Sequence, residues 1–313
     1  MSSKIKITSQ ERVAYFNGDI IPESQVRVPF RDRGFKYGDA VFDMTRTFGH
    51  KIFKLEEHIN RFYNSMQYVQ IDPDLSKVDM IEATESVLNA NLHLLDAGDD
   101  YWVGQRISRG VDLVGGDMWD TSGGPTTIIE CTPLPIKPRA RLYRDGIDVW
   151  IPSTRRTPPE SISPRAKSHN YLNLIMADLE AKAHDREAWA ILQDTRGFLT
   201  EGIGSNIFII KNGTLYTPQE QFVLGGISRE TAIEVAEQLD VNVVEKDLDL
   251  YDAFTADEVF LTSTSLCICG VRSVQGKQIG GGEAAGPITK ALMDAYVDYV
   301  DFDWVSQYLK KLD

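Results

Sequence analysis

Two kinds of spacing alternate along the first part of the chain. Apolar residues cluster on either side of Asn17-Gly18, a strong hairpin signal because Asn and Gly accept the positive φ of a two-residue turn. A second hairpin is expected from 41–48, returning through 51–54 around Gly49. The apolar period then lengthens: Leu55, Ile59, Phe62 and Met66 recur at helical spacing, and Met80, Ile81, Val87 and Leu88 mark another helix. Residues 101–107 and 126–131 read as further strands. Strands interrupted by a helical pair predict an α+β unit on an antiparallel sheet.

Pro133, Pro135 and Pro138 then fall within seven residues, 132–138, a stretch expected to be neither helix nor central strand. The domains are therefore expected as a small α+β domain at 1–131, a linker at 132–138, and a large domain at 139–313. The second half opens with a strand at 146–151 and a polar, proline-containing stretch to 164. A helix at 170–184 carries Leu172, Met176 and Leu179 on one face. Strands at 188–193 and 198–200 pair across Thr195-Arg196-Gly197, and 206–211 turns at Asn212-Gly213 into 214–217. A helix at 228–239, strands at 241–245 and 258–262, and a terminal helix from 287 complete the pattern.

Composition narrows the function. The chain has 313 residues with 33 basic and 46 acidic side chains, a net charge of −13. So acidic a chain is a poor match for a nucleic-acid backbone or an anionic membrane surface. No apolar run approaches the length of about 20 residues that a membrane helix needs. The polar start at 1–10 lacks the apolar core of a signal peptide, so the expected location is cytoplasmic. Cys131, Cys267 and Cys269 are too few and too badly spaced for a disulfide framework or zinc site, and read as buried thiols. The five histidines show no metal-ligand spacing, and no nucleotide-binding or nucleophile-elbow motif is present. No metal is expected, and Gly280-Gly281-Gly282 reads as a solvated loop.

What remains is Lys167, in Arg165-Ala166-Lys167-Ser168-His169-Asn170-Tyr171, and Glu201, in Leu199-Thr200-Glu201-Gly202-Ile203-Gly204-Ser205-Asn206. Alone, the first is a surface cation and the second an acidic turn residue. Together with Phe30–Phe42, Leu55–Phe62, Gly225-Gly226-Ile227-Ser228-Arg229 and Leu261-Thr262-Ser263-Thr264, in this order, they make a specific pattern. From about Val13 to Tyr296 the chain resembles the class IV pyridoxal-phosphate aminotransferases of fold type IV. That family includes branched-chain and D-amino-acid aminotransferases, (R)-selective amine transaminases and aminodeoxychorismate lyases.

The resemblance implies a two-domain α+β architecture like that of D-amino-acid aminotransferase, with a cofactor cleft between the halves. It implies that Lys167 joins the cofactor aldehyde and moves the proton at substrate Cα. Glu201 would keep the pyridine nitrogen protonated, Tyr171, read as one helical turn beyond Lys167, would bond the ring oxygen, and Leu224 would pack on the ring face. Arg61, the backbone amides of Ile227 and Ser228, and Thr264 with Ser263 would hold the phosphate.

For the substrate, Tyr37, Phe42 and Trp102 fall where the family lines its pocket. The arginine of branched-chain enzymes is replaced by Gly104, and the Arg-x-His motif of D-amino-acid aminotransferases is absent after Arg109-Gly110. Arg46 or Arg106 would have to substitute. Loss of a fixed carboxylate clamp suits a primary-amine donor, as in (R)-selective amine transaminases, with a small 2-oxo acid as acceptor. The alternatives are a branched-chain or D-amino-acid aminotransferase, or an aminodeoxychorismate-type lyase. A binding protein that lost the chemistry is disfavoured because Lys167 and Glu201 are both present. The family also implies a homodimer.

Overall fold

The computed structural model describes residues 10–312, so nearly all of the polar start at 1–10 lies outside the described residues. These divide into two compact units. One runs to Leu134 and includes Ala166–Asn170; the other comprises Pro135–Arg165 and the chain from Tyr171.

In the first unit, β1 (Val13–Phe16) and β2 (Asp19–Pro22) form the expected hairpin, with Asn17 at φ 48° and Gly18 at φ 105°. Helix α1 (Arg33–Tyr37) opens where the Asp32 carboxylate accepts the Gly34 N–H, and closes at Gly38 with φ 69°. Then follow β3 (Ala40–Phe48), β4 (Lys51–Ile52), α2 (Leu55–Val69) and α3 (Lys77–Asn91), the last started by a Ser76–Asp79 capping box. Strand β5 (Tyr101–Ser108), the short pair β6 (Val111–Asp112) and β7 (Thr121–Ser122), and β8 (Thr126–Pro133) complete it. The six-stranded sheet has the order β2-β1-β8-β5-β3-β4.

Side chains alternate across a strand, so this sheet has two chemically distinct faces. Val41, Val103, Ile107 and Ile129 pack against Ile59, Phe62 and Met66 of α2 and Met80 and Val87 of α3. On the opposite face the register sets Phe42 against Arg106, Met44 against Gly104, and Arg46 against Trp102. Gly104 is in turn opposite Glu130 of β8.

The second unit begins with α4 (Ile136–Asp145), β9 (Ile147–Trp150), α5 (Leu172–His184) and β10 (Trp189–Ala190). Strands β11 (Asn206–Lys211) and β12 (Thr214–Thr217) turn at Asn212-Gly213, and lead into α6 (Ile227–Gln238) and β13 (Val243–Glu245). Next come α7 (Leu250–Phe254), β14 (Glu258–Ser263), β15 (Cys267–Val274), β16 (Lys277–Gln278), α8 (Pro287–Val300) and α9 (Trp304–Leu309). The sheet order is β10-β9-β15-β14-β11-β12-β13, with β16 beside β15. Ile147, Val149, Ile207, Leu261 and Val271 lie in its main core. All three cysteines are free and buried, and burial pushes the Cys131 thiol up to about 12.

Three expectations change. The proline-rich stretch is not a bare connection: β8 continues to Pro133 and α4 starts at Ile136. Pro133 ends its strand, and Pro138 is the third helical residue, where an N–H would have no intrahelical acceptor. Helix α5 begins at Leu172, so Lys167 and Tyr171 are not one helical turn apart. Instead residues 166–170 lie along the edge of β3: Phe42 N–H donates to Lys167 O at 2.9 Å, and His169 N–H donates to Ala40 O at 2.8 Å. Those bonds draw the segment into the first unit. Finally, 188–193 and 198–200 do pair, but as a bridge between Gln193 and Leu199 flanked by Asp194 N–H to Phe198 O at 2.7 Å and Thr200 N–H to Leu192 O at 2.8 Å, not as two regular strands.

Candidate active site

The first unit carries Lys167 and Arg61, and both are fixed from α2 and β3. Asp43 on the helix-facing side of β3 is fully buried. Its Oδ1 accepts from His58 Nδ1 at 2.7 Å, Arg61 Nη2 at 2.7 Å and the Met44 N–H at 2.7 Å, and its Oδ2 accepts from Arg61 Nε at 2.8 Å. Burial by itself would raise the carboxyl's pKa; the Arg61 guanidinium and His58 more than reverse that, holding it well below the usual range. Burial also lowers His58. The residues bonding Asp43 lie three apart on α2, which places both on one face. The same helix supplies Ser65, whose Oγ accepts the Lys167 N–H at 3.0 Å and donates to Arg61 O at 3.0 Å. Lys167 Nζ lies 4.6 Å from the centroid of the Phe42 ring.

The second unit gathers its candidate residues at one end of its sheet. Glu201 is 5% exposed. Its Oε1 accepts from Arg156 Nε at 3.0 Å and its Oε2 from the Leu224 N–H at 2.9 Å. Asn206, bridged to Glu201, donates from Nδ2 to Leu224 O at 3.0 Å, and lies opposite Thr262 at the end of β14. Ser263 and Thr264 follow there, with the Ser263 hydroxyl accepting the Leu266 N–H at 3.1 Å to shape the turn. Tyr171, the residue before α5, packs on the small cluster of Leu174, Ala190 and Leu192, as does Ile203.

This donor set fits pyridoxal phosphate. Helix α6 has no side-chain cap, and the amides of Ile227, Ser228 and Arg229 bond to no described residue. Such a first turn presents its N–H groups, and the positive end of the helix dipole, to an anion. Gly226 leaves Asn206 its place there, because a Cβ would sit 2.3 Å from Asn206 Oδ1. The Glu201 carboxylate, with two bonds made, retains lone pairs for a ring N–H.

The substrate candidates separate. Phe42, Trp102 and Arg106 share the outer face of the first sheet, where Arg106 bonds Glu130. Arg46 lies on that face too, but it is 1% exposed and ion-paired with Asp100 at 3.8 Å. It is held within the protein rather than offered to a ligand. Tyr37 is half exposed at the end of α1, beside Arg33 and Lys36. Asp43, His58, Ser65 and Arg156 were not anticipated. Helical spacing on α2 could have paired His58 with Arg61, but nothing local points from Arg156 to Glu201, 45 residues away.

The model of the class IV amino-transferase family matches residues 40–274, and the chain belongs to that family. It is accordingly a pyridoxal-phosphate-dependent aminotransferase of fold type IV. A Methanocaldococcus jannaschii protein, provisionally named a branched-chain-amino-acid aminotransferase, is 38% identical over 91% of this chain and 95% of its own. The branched-chain-amino-acid aminotransferase of Escherichia coli is 30% identical over 92% of this chain and 93% of its own. A crystal structure of the Escherichia coli enzyme superposes with TM-score 0.84 at 28% identity, over 92% and 94% of the two chains. The D-alanine aminotransferase of Bacillus licheniformis is 29% identical over 90% and 94%. Among the described residues no helix is long and apolar enough to cross a membrane, and no cluster of metal-ligating side chains occurs.

His169, packed edge-on against Phe42, gives the site a measurable pH signature. Burial, reinforced by the Arg106 cation, pushes its imidazole down to about 4. Between about pH 6.5 and 4 the unfolded chain therefore holds a proton here that the folded chain refuses, and stability falls as pH drops. His169→Gln is expected to remove about one proton's worth of slope from urea-unfolding free energies across that range. An unchanged slope would contradict this assignment.

Proposed function

We propose that the protein takes an amino group from an amino acid or a primary amine and delivers it to a small 2-oxo acid in a ping-pong cycle. The observation that carries the assignment of roles is the linked set in the second unit. There Glu201 accepts the Leu224 N–H and Asn206 donates to Leu224 O, three residues before α6, whose Ile227 and Ser228 amides bond to no described residue. Arg61, the amides of Ile227 and Ser228, and Thr264 with Ser263 hold the phosphate. Glu201 keeps the ring nitrogen protonated, Tyr171 bonds the ring oxygen, and Leu224 packs on the ring. Lys167 would hold the cofactor through its amine and would move the proton at substrate Cα. When bound, the cofactor supplies the electron sink for that deprotonation.

The names of the relatives favour an amino-acid donor, branched-chain or D-configured. A primary amine of (R) configuration is favoured by a different observation. The centre of the outer face carries Gly104 beneath the Met44 thioether, and Arg46 is engaged by Asp100, so neither position offers a cation. A homodimer is supported by α5, which leaves Leu172, Ile175, Met176 and Leu179 exposed along one side while Leu174, Ala177 and Ala181 are buried. The free, buried cysteines suit a cytoplasmic location.

The purified protein is expected to be yellow, and borohydride should bleach it and leave the cofactor's mass on the peptide containing Lys167. Turnover is then compared for (R)-1-phenylethylamine with pyruvate and for L-leucine or D-alanine with 2-oxoglutarate. A colourless protein that cannot be reconstituted contradicts the role given to Lys167. Exclusive use of L-leucine removes the amine reading. For assembly, light scattering should give twice the 35.2 kDa chain mass, and a monomer at micromolar concentration would contradict the dimer.

A further inference from the structure

Phe42 is the hub of the outer face of the first sheet. Its ring meets the Lys167 ammonium, the Arg106 guanidinium carbon 5.2 Å from its centroid, and the edge of His169 at 5.2 Å. Arg106 stands directly opposite Phe42 in register. Its Nε donates to Glu130 Oε1 at 2.7 Å, while its two terminal nitrogens have no partner among the described residues. The side chains of the pair are 34% and 31% exposed, open enough to be reached by a small molecule. A pair this exposed adds little to stability. What it does provide is orientation, because bonding Nε fixes the plane of the guanidinium and leaves the Nη pair as an open fork. That fork matches the two oxygens of a carboxylate.

The neighbouring positions keep this arrangement in place. A Cβ at Gly104 would lie 2.8 Å from Met44 Cε, so glycine leaves the thioether its room, and at 3.5 Å from Glu130 Cγ it would make only ordinary contact. His169 is held neutral by its burial and by Arg106, and brings no competing positive charge.

We propose that Arg106, oriented through Nε by Glu130, binds the substrate carboxylate and sets the affinity for 2-oxo acids and amino acids without acting on carboxylate-free amines. Arg106 is then a specificity-determining residue and Glu130 a positioning residue. This rests on the transaminase reading above.

The test follows the two half-reactions separately by the cofactor's absorbance. In Arg106→Leu the pyruvate concentration giving half-maximal rate should rise about 10-fold or more, with the saturated rate held within about threefold. Arg106→Lys, which keeps the charge and loses the fork, should fall in between. Glu130→Ala should shift the same parameter in the same direction, and Glu130→Gln, whose amide oxygen still accepts from Nε, should stay near wild type. Bleaching by (R)-1-phenylethylamine should be unchanged in all four. The proposal is overturned if Arg106→Leu leaves the pyruvate dependence untouched, or if it slows the amine and acid halves alike. It is also overturned if Glu130→Ala matches wild type. A wild-type holoenzyme that runs neither half-reaction refutes the transaminase reading itself, and this assignment with it.

Discussion

Burying an ionised carboxylate in a protein interior costs several kcal/mol unless cations and hydrogen-bond donors meet it directly. Asp43 is fully buried in β3, and two side chains of α2 and one backbone amide close around it. The pairing works in both directions. Arg61 keeps Asp43 charged, and Asp43 holds the Arg61 guanidinium by two of its nitrogens, so that the cation proposed to bind phosphate is set before any ligand arrives. The attraction also ties α2 to the sheet, and α2 in turn presents Ser65 to the backbone of Lys167.

The same strand works on both sides. Asp43 faces α2, while its neighbours Phe42 and Met44 face away, toward Arg106 and Gly104. Lys167 is bonded to the free edge of that strand through the Phe42 N–H. The alternation of β3 thus separates two tasks by a single residue step: charge fixation on the helix side and, on the other, the face proposed to contact substrate. A one-residue slip in register would exchange the two faces, and the antiparallel pairing with β5 over seven residue pairs opposes it.

Much of the fold was legible because it depends on local chemistry. Asn17-Gly18 and Asn212-Gly213 make their turns, and the apolar spacing from Leu55 to Met66 marks α2. The prolines at 133, 135 and 138 misled, since their positions at a strand end and in a helix's first turn are tolerated. The place of Lys167 was not legible either, because its bonds run to Ser65 and Phe42, more than 100 residues away. Lys167 and Glu201 stood out only through the family pattern. Their surroundings, such as Arg156 on Glu201, are long-range pairings that no local spacing encodes.

The role proposed for Asp43 is to hold Arg61 ready for the cofactor phosphate. Its most direct test is the affinity of the apo-protein for pyridoxal phosphate and for unphosphorylated pyridoxal, in wild type and in Asp43→Asn. The account predicts that the variant binds pyridoxal phosphate about 10-fold or more weakly while its affinity for pyridoxal is unchanged. Equal losses for both ligands, or no loss for either, would contradict it.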